Sequence, residues 1–501
     1  MANEVLKRRL DILKKSGFFD KLVIKRGIEK EFFRVNEKGY ISNRPHPKTL
    51  GSALTNKYIT TDFAEAQLEL VTPEFEDIDD LYNFLYSIHS FVAKNIDSDE
   101  MLWPFSMPPK IRDESEINLG YYHQSNIGLL KHVYRRGLKV RYGPIMQCVS
   151  GMHYNFSIKP ESLAILNKSN TQEDSDNTYL GIIRNFKRLF WFVLLEFGET
   201  NVVDKSFVRN RPHNLEELNS QDMYLKYATS LRMSEIGYQS KAQKSLNIKY
   251  NSLSNFLKKI KGAITDPFSE FEHKGLMDRH KELHQISNGI IQIENEYYDS
   301  IRPKRSAHKD VRPYELLKNY GIEYLEIRGI DISPHDITGI SVQQIKFIDL
   351  LLIYCLIMQS PRISNDEKKS IDFNDSKVIY GGRNPDTKIN INGKYIDIES
   401  ARKNIYEDLK LIAMFYENTE NLLDAIEWVS SRKKGKIPKK GFHQNGIENA
   451  KKNTEILRSD MSKDLNGIKK EAALSLKKLN NISTNTKEEM NEFVKSYNSK
   501  L

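Results

Sequence analysis

Apolar and polar residues alternate with a period of two in four stretches of this 501-residue chain: Leu22–Val35, Gln67–Thr72, Met152–Ser157 and Ile322–Ile330. Side chains two apart share a face of an extended strand, so each stretch predicts a strand with one apolar face. Apolar residues recur instead at helical spacing in Ile78–Asn95, Tyr179–Phe197, Ser341–Met358 and Ala401–Ser430, which predicts helices. Polar, loop-like sequence falls at Asn167–Thr178, Ser364–Ser376 and Ser431–Gly441. None of it is long or biased enough to read as an interdomain linker, and no repeat of about 20–50 residues marks a solenoid or propeller. Strands separated by long helical insertions predict an α+β fold. The expected organisation is one body over residues 1–430 and a basic helical segment over 431–501.

At 39% hydrophobic and 10% aromatic residues the chain can bury a large core, which excludes wholesale disorder. The longest apolar run, Leu350–Met358, is well short of the about 20 residues that span a bilayer. Met1–Asp20 mixes both signs of charge with Leu6, Leu10 and Leu13 at helical spacing, unlike a targeting peptide, so a cytoplasmic protein is expected. Cys148 and Cys355 make neither a disulfide framework nor a zinc site, and their apolar surroundings suit structural thiols. The net charge of +9 lies wholly in residues 431–501, which hold 17 Lys/Arg against 8 Asp/Glu. A polyanion is one partner for such a segment, but Phe442, Phe493 and Tyr497 are too few aromatics for a single-strand stacking platform. Leu474, Leu476, Leu479 and Ile482 fit an amphipathic helix docked on the body, with no nucleic acid bound.

Candidate chemistry gathers on the polar faces of the strands. Glu29 and Glu31 share a face in the first, and Gln67 and Glu69 in the second, with Asp62 in the turn before it. His153 lies with Asn155 and Ser157 in the third; Tyr324, Glu326 and Arg328 share a face in the fourth. Each segment alone also fits an ordinary half-exposed strand, and Glu326 beside Arg328 a surface ion pair. Together, a set of oxygen ligands with a single imidazole suits Mg²⁺ or Mn²⁺ rather than zinc. Such ions clamp nucleotide phosphates, although the chain holds neither a P-loop G-x-x-x-x-G-K-[ST] nor a Rossmann G-x-G-x-x-G. The residues alone therefore point to metal-assisted phosphoryl transfer on a sheet.

Eight segments, in order between residues 26 and 334, carry a resemblance: RGIEKEFFRV, TTDFAEAQLELVTP, LWPFSMPP, YRRGLKVRYG, MQCVSGMHYNFS, YATSLRMSEIGY, QIENEYYDSIRPKR and IEYLEIRGIDISP. They are similar to the signature stretches of the bacterial glutamate–cysteine ligase (γ-glutamylcysteine synthetase) family. The resemblance implies a glutamine-synthetase-like fold, a curved and mainly antiparallel sheet forming a funnel-like site. It implies ATP-dependent ligation of the L-glutamate γ-carboxylate to L-cysteine through a γ-glutamyl phosphate, the first step of glutathione synthesis. A monomer carrying this single step is expected. Two rivals are a glutamate ligase using another small amine, such as 2-aminobutyrate, and a nucleic-acid-binding protein acting through the basic segment.

The resemblance also assigns roles. Glu29, Glu31, Asp62, Glu69, His153 and Glu326 would hold Mg²⁺, or Mn²⁺, around the ATP phosphates. Glu29, Glu326 and Arg328 would carry catalysis, the arginine meeting the transferred phosphoryl group. Arg232 would take the glutamate α-carboxylate, and Tyr134, Leu138, Gln147, Tyr238 and Tyr298 would surround the cysteine. Arg302, Lys304 and Arg305 form a basic cluster that fits either nucleotide phosphates or a solvated turn.

Overall fold

Seven strands make the main sheet: β1 (Ile24–Asn36), β2 (Ile59–Thr61), β3 (Gln67–Val71), β4 (Glu100–Leu102), β5 (Met152–Ile158), β6 (Ile301–Lys304) and β7 (Tyr324–Ile330). The computed structural model describes residues 2–501 except 238–239, 308–310, 433 and 436–439. The strand order is β2-β3-β1-β5-β7-β6, antiparallel throughout, with β4 pairing the far end of β1. The longest strand, β1, is central rather than an exposed edge, so the polar residues on it are enclosed by neighbours on both sides.

One face of this sheet is apolar because alternate residues are: Ile28, Tyr154, Phe156, Leu325 and Ile327 belong to the largest core. Helices Gln172–Phe197 and Val342–Ile357, apolar almost all round, cover it. The approach is close at Gly329, where a Cβ would stand 2.2 Å from the Phe190 ring. Where β1 puts charge on this side it is paired: Arg26 Nε donates to Asp349 at 2.5 Å, and Lys30 Nζ meets His89 Nε2 at 2.9 Å. The other face is polar and carries the site.

Three of the expected boundaries shift. The polar stretch Ser364–Ser376 is mostly helix, Asn365–Gly381, because only Ile371, Asn374, Val378 and Ile379 need burial and the Ser364 hydroxyl caps it. Helix Gln172–Phe197 begins inside Asn167–Thr178, capped by Thr171. Ala401–Ser430 is two helices, Ile398–Ala413 and Thr419–Ser431, broken where the Thr419 hydroxyl donates to the carbonyls of Ala413 and Tyr416.

The C-terminal segment contains helices Phe442–Ser459, Asn466–Asn480 and Lys487–Ser499. In the second, the buried face is Ile468, Ala472 and Ser475, whereas Leu474 is exposed and Ile482 lies past the helix end. Small residues face inward because the loop at Gly51 comes so close that a Cβ there would stand 2.4 Å from Ser475 Oγ. In the third, Met490 and Val494 pack on Leu130 and Val133 of the Asn126–Tyr142 helix, which lines the site. In the first, Gly446 lies flat against Trp103, where a Cβ would stand 2.1 Å from the indole. Gly446→Val should therefore destabilise the fold by about 1–3 kcal/mol through overpacking, more than Gly446→Ala. A urea midpoint equal to the parent's in both variants would show that this helix does not dock on Trp103.

Candidate active site

Antiparallel register decides which polar side chains meet. On β1, Glu29 lies opposite His153 of β5, and Glu31 opposite Glu69 of β3. On β7, Glu326 lies opposite Asn155 on one side and Arg302 of β6 on the other. Residues read separately on four strands thus become a continuous patch. His153 bridges the acids of β1, with Nδ1 3.3 Å from Glu29 and Nε2 3.5 Å from Glu31. The Asn155 amide donates to Glu29 at 2.9 Å, and the Gly151 N–H to Glu31 at 2.8 Å.

The charges in this patch are not balanced evenly. Burial pushes Glu69 up to about 8, aided by the negative charges of Asp62 and Glu29. Glu31 is held well above the usual carboxylate range, first by burial and then by Asp62 and Glu69. Glu29 is held low despite burial, by its hydrogen bond with His153 and the positive charge of Lys304. His153 itself is lowered by burial and by Arg328. Ligand atoms of Glu29, Glu69 and His153 all lie within 4.8 Å of one another. Two buried carboxylates that resist ionising, beside a third and an imidazole, form a donor set that a divalent cation fits.

The neighbouring part of the patch is cationic. Glu326 accepts from Arg302 Nη2 at 2.7 Å and Arg328 Nη1 at 3.0 Å, with Lys304 Nζ 3.2 Å from its other oxygen. Burial pushes this carboxylate up, but Lys304, Arg302 and Arg328 outweigh burial and hold it well below its usual range. Arg302 and Lys304 are therefore strand residues and not a solvated turn. The Arg302 guanidinium also donates to the Tyr297 carbonyl at 2.7 Å. Arg305 turns away from the patch and donates to the carbonyls of Tyr320 and Gly321. The Nε of Arg328 is buried without a hydrogen-bond partner among the described residues.

Above the patch is a cavity of about 260 Å³. It is lined by Glu29, Glu31, Asp62, Glu69, His153 and Glu326, by Arg302, Lys304 and Arg328, and by Tyr134, Leu138, Gln147 and Tyr298. Arg232 is not on its surface. That side chain is 1% exposed, with Nε on Asp331 at 2.8 Å, Nη2 on the Arg328 and Ile330 carbonyls and Nη1 on the Tyr298 hydroxyl at 3.2 Å. Tyr238 lies outside the described residues. Lys131, Arg135 and Gln243 line the cavity too, and sequence reading missed them. Lys131 had a usable signal, since it shares a helix face with Tyr134 and Leu138. Gln243 had none: it clamps the opposite wall by donating to the Glu296 carbonyl and accepting from the Tyr298 N–H. Cys148 and Cys355 are buried, and burial pushes both thiols up, as suits structural residues.

Comparison with known proteins gives a consistent result. The sequence model of a family described as glutamate-cysteine ligase matches residues 11–378. A glutamate–cysteine ligase from Pseudomonas putida is 40% identical over 432 residues, 85% of this chain and 80% of that protein. One from Hahella chejuensis is 41% identical over 392 residues, covering 77% and 74%. The crystal structure of a glutamate–cysteine ligase from Francisella tularensis in complex with AMP superposes with a TM-score of 0.91 at 32% identity, over 96% of this chain and 98% of that one. Its fold is glutamine-synthetase-like, and so is this one. A bifunctional glutathione synthetase from Pasteurella multocida shares the fold at a TM-score of 0.60 and 22% identity, with this chain spanning 54% of it.

The raised carboxyls carry a pH signature. In the ion-free folded protein Glu69 titrates near about 8, whereas an unfolded glutamate titrates near about 4.3. The folded state therefore keeps a proton that the unfolded chain has released, and stability falls as pH rises between those values. A divalent cation bound at that carboxylate would replace the proton. Saturating Mg²⁺ should accordingly raise Tm more at pH 8 than at pH 6 and release protons on binding, measurable by calorimetry in buffers of different ionisation enthalpy. Glu69→Gln should flatten the pH dependence. A pH-independent Mg²⁺ effect in the parent protein would contradict this origin.

Proposed function

The chain belongs to the glutamate–cysteine ligase family, and from that premise we propose how its cavity performs the ATP-dependent joining of L-glutamate to L-cysteine. The enzyme forms γ-glutamylcysteine, ADP and phosphate, the first step of glutathione synthesis. A carboxylate does not react with an amine in neutral water because its leaving group would be oxide. The glutamate γ-carboxylate therefore first attacks the terminal phosphorus of ATP, and the cysteine amine then displaces phosphate from the acyl phosphate. No side-chain nucleophile is required, and the work left to the protein is positioning and charge neutralisation.

The observation that carries the residue-level reading is the patch itself: a set of metal-ligand type beside a carboxylate gripped by three cations, in one cavity. In this reading Glu29, Glu69 and His153 hold Mg²⁺, or Mn²⁺, with Glu31 and Asp62 adjoining and Glu326 exchanging one cationic partner for an ion. The ion would supply neutralisation of phosphate charge. Arg328 lines the cavity and offers its guanidinium to the phosphoryl oxygens, while Glu326 fixes the plane of that group. Lys304, with a quarter of its side chain exposed, reaches the phosphates, and Arg302 acts by holding Glu326.

A pocket of about 170 Å³ shares Asn295, Arg302 and Lys304 with the cavity and is otherwise lined mainly by apolar and aromatic residues such as Tyr314, Val311 and Tyr324, with Glu294 and Arg305. It suits the nucleoside of ATP. Tyr134, Leu138, Gln147 and Tyr298 of the cavity wall surround the cysteine; Tyr238, which the resemblance adds, lies outside the described residues. Arg232, which the resemblance assigns to the glutamate α-carboxylate, is enclosed, so it would serve that end of the substrate indirectly, by holding the Tyr298 hydroxyl and the Arg328 and Ile330 carbonyls in the cavity wall. No helix among the described residues is long and apolar enough to cross a membrane, in keeping with a cytoplasmic enzyme.

ADP release with MgATP tests the reaction: it should require both amino acids, and release with glutamate alone would indicate another acceptor. Glu29→Gln should abolish ADP formation in folded protein. Arg328→Ala should lower kcat by about 100-fold or more with little change in KM, because the contact matters most in the transition state. A rise in KM alone would place that arginine in ground-state binding.

A further inference from the structure

Among the described residues, one cation in the cavity wall makes no direct ion pair or hydrogen bond. Arg302, Lys304 and Arg328 all engage Glu326; Arg135 donates to the carbonyls of Asp62 and Thr61; and Arg232 is paired with Asp331. Lys131 is half-buried in the same wall, yet its ammonium makes no hydrogen bond or ion pair among the described residues. It lies over the face of the Tyr122 ring, 5.0 Å from its centroid, and the only carboxylate charge acting favourably on it is that of Glu69, which it does not contact directly among the described residues. A charge that has lost part of its hydration without gaining a counter-ion is costly. In a substrate cavity it marks the place of an anionic group that the ligand brings.

The helix decides which group. Lys131, Tyr134 and Leu138 are spaced by three and four residues, so they lie along one stripe of the Asn126–Tyr142 helix, and all three face the cavity. Tyr134 and Leu138 surround the cysteine in the reading above, on which this inference rests. Arg328 and Lys304, on the strands β7 and β6, already serve the phosphates in that reading, and Arg232 the glutamate. The stripe is backed by Met490 and Val494 of the last helix, which keeps its side chains in place. We propose that Lys131 binds the α-carboxylate of the acceptor amino acid and so favours amino acids over simple amines at this step.

The test compares the parent enzyme with Lys131→Met and Lys131→Arg. Lys131→Met should raise KM for cysteine by at least about tenfold, the usual size of a lost charge-assisted hydrogen bond, and leave KM for ATP and glutamate within about twofold. Lys131→Arg should recover most of the loss. L-Cysteine methyl ester, which lacks the carboxylate charge, should bind the parent and Lys131→Met equally, measured as a competitor of cysteine so that turnover of the ester is not needed. The proposal is overturned if Lys131→Met loses as much affinity for the ester as for cysteine. It also fails if glutamate or ATP binding weakens instead, or if nothing changes. Failure of the ligase reading would look different, since the parent enzyme itself would then form no γ-glutamylcysteine.

Discussion

Like charges on one face of a sheet repel, and here Glu29, Glu31 and Glu69 are held side by side on adjacent strands by backbone hydrogen bonds that have nothing to do with their charge. Antiparallel pairing is what forces them together, and burial then denies them the water that would screen them. Everything around the patch answers that constraint. His153 sits between two of the acids, Asn155 and the Gly151 N–H satisfy their oxygens, and three cations crowd the next carboxylate along, Glu326. The remaining acidity suits cations that would accompany a nucleotide. A site that is electrostatically unfinished by itself is suited to substrates that bring both signs of charge.

Holding such a patch rigid depends on what lies behind it. The apolar face of the same strands packs on two long helices, so a strand cannot slip by one residue without turning its acids into the core. The Asn126–Tyr142 helix makes the facing wall, and the C-terminal helices brace it through Met490 and Val494. The basic segment thus contributes packing close to the site, through small and apolar faces, while most lysines of its three helices are exposed and Lys434 pairs with the buried Glu196.

Much of this was legible in residues 1–501 as a string. The period-two alternation located β1, β3, β5 and β7, because a half-buried strand must separate its faces, and it placed Glu29, Glu31, Glu69, His153, Glu326 and Arg328 on the polar ones. Helix ends were less legible where polar capping sequence imitates a loop, as at Ser364–Ser376. The docking face of Asn466–Asn480 was misjudged because leucines usually face inward, and here a close backbone contact at Gly51 admits only Ala472 and Ser475.

The sequence by itself determined which side chains share a strand face, and its ordered segments determined the family, because both depend only on spacing along the chain. Tertiary structure alone decided the rest. Register set Glu31 against Glu69 and Glu326 against Arg302; enclosure of Arg232 separated it from the cavity surface; and that Lys131 makes no direct ion pair among the described residues became visible only with its neighbours in place. Charge pairing and desolvation depend on distance through space between residues up to hundreds of positions apart, and no local pattern in a sequence encodes that distance.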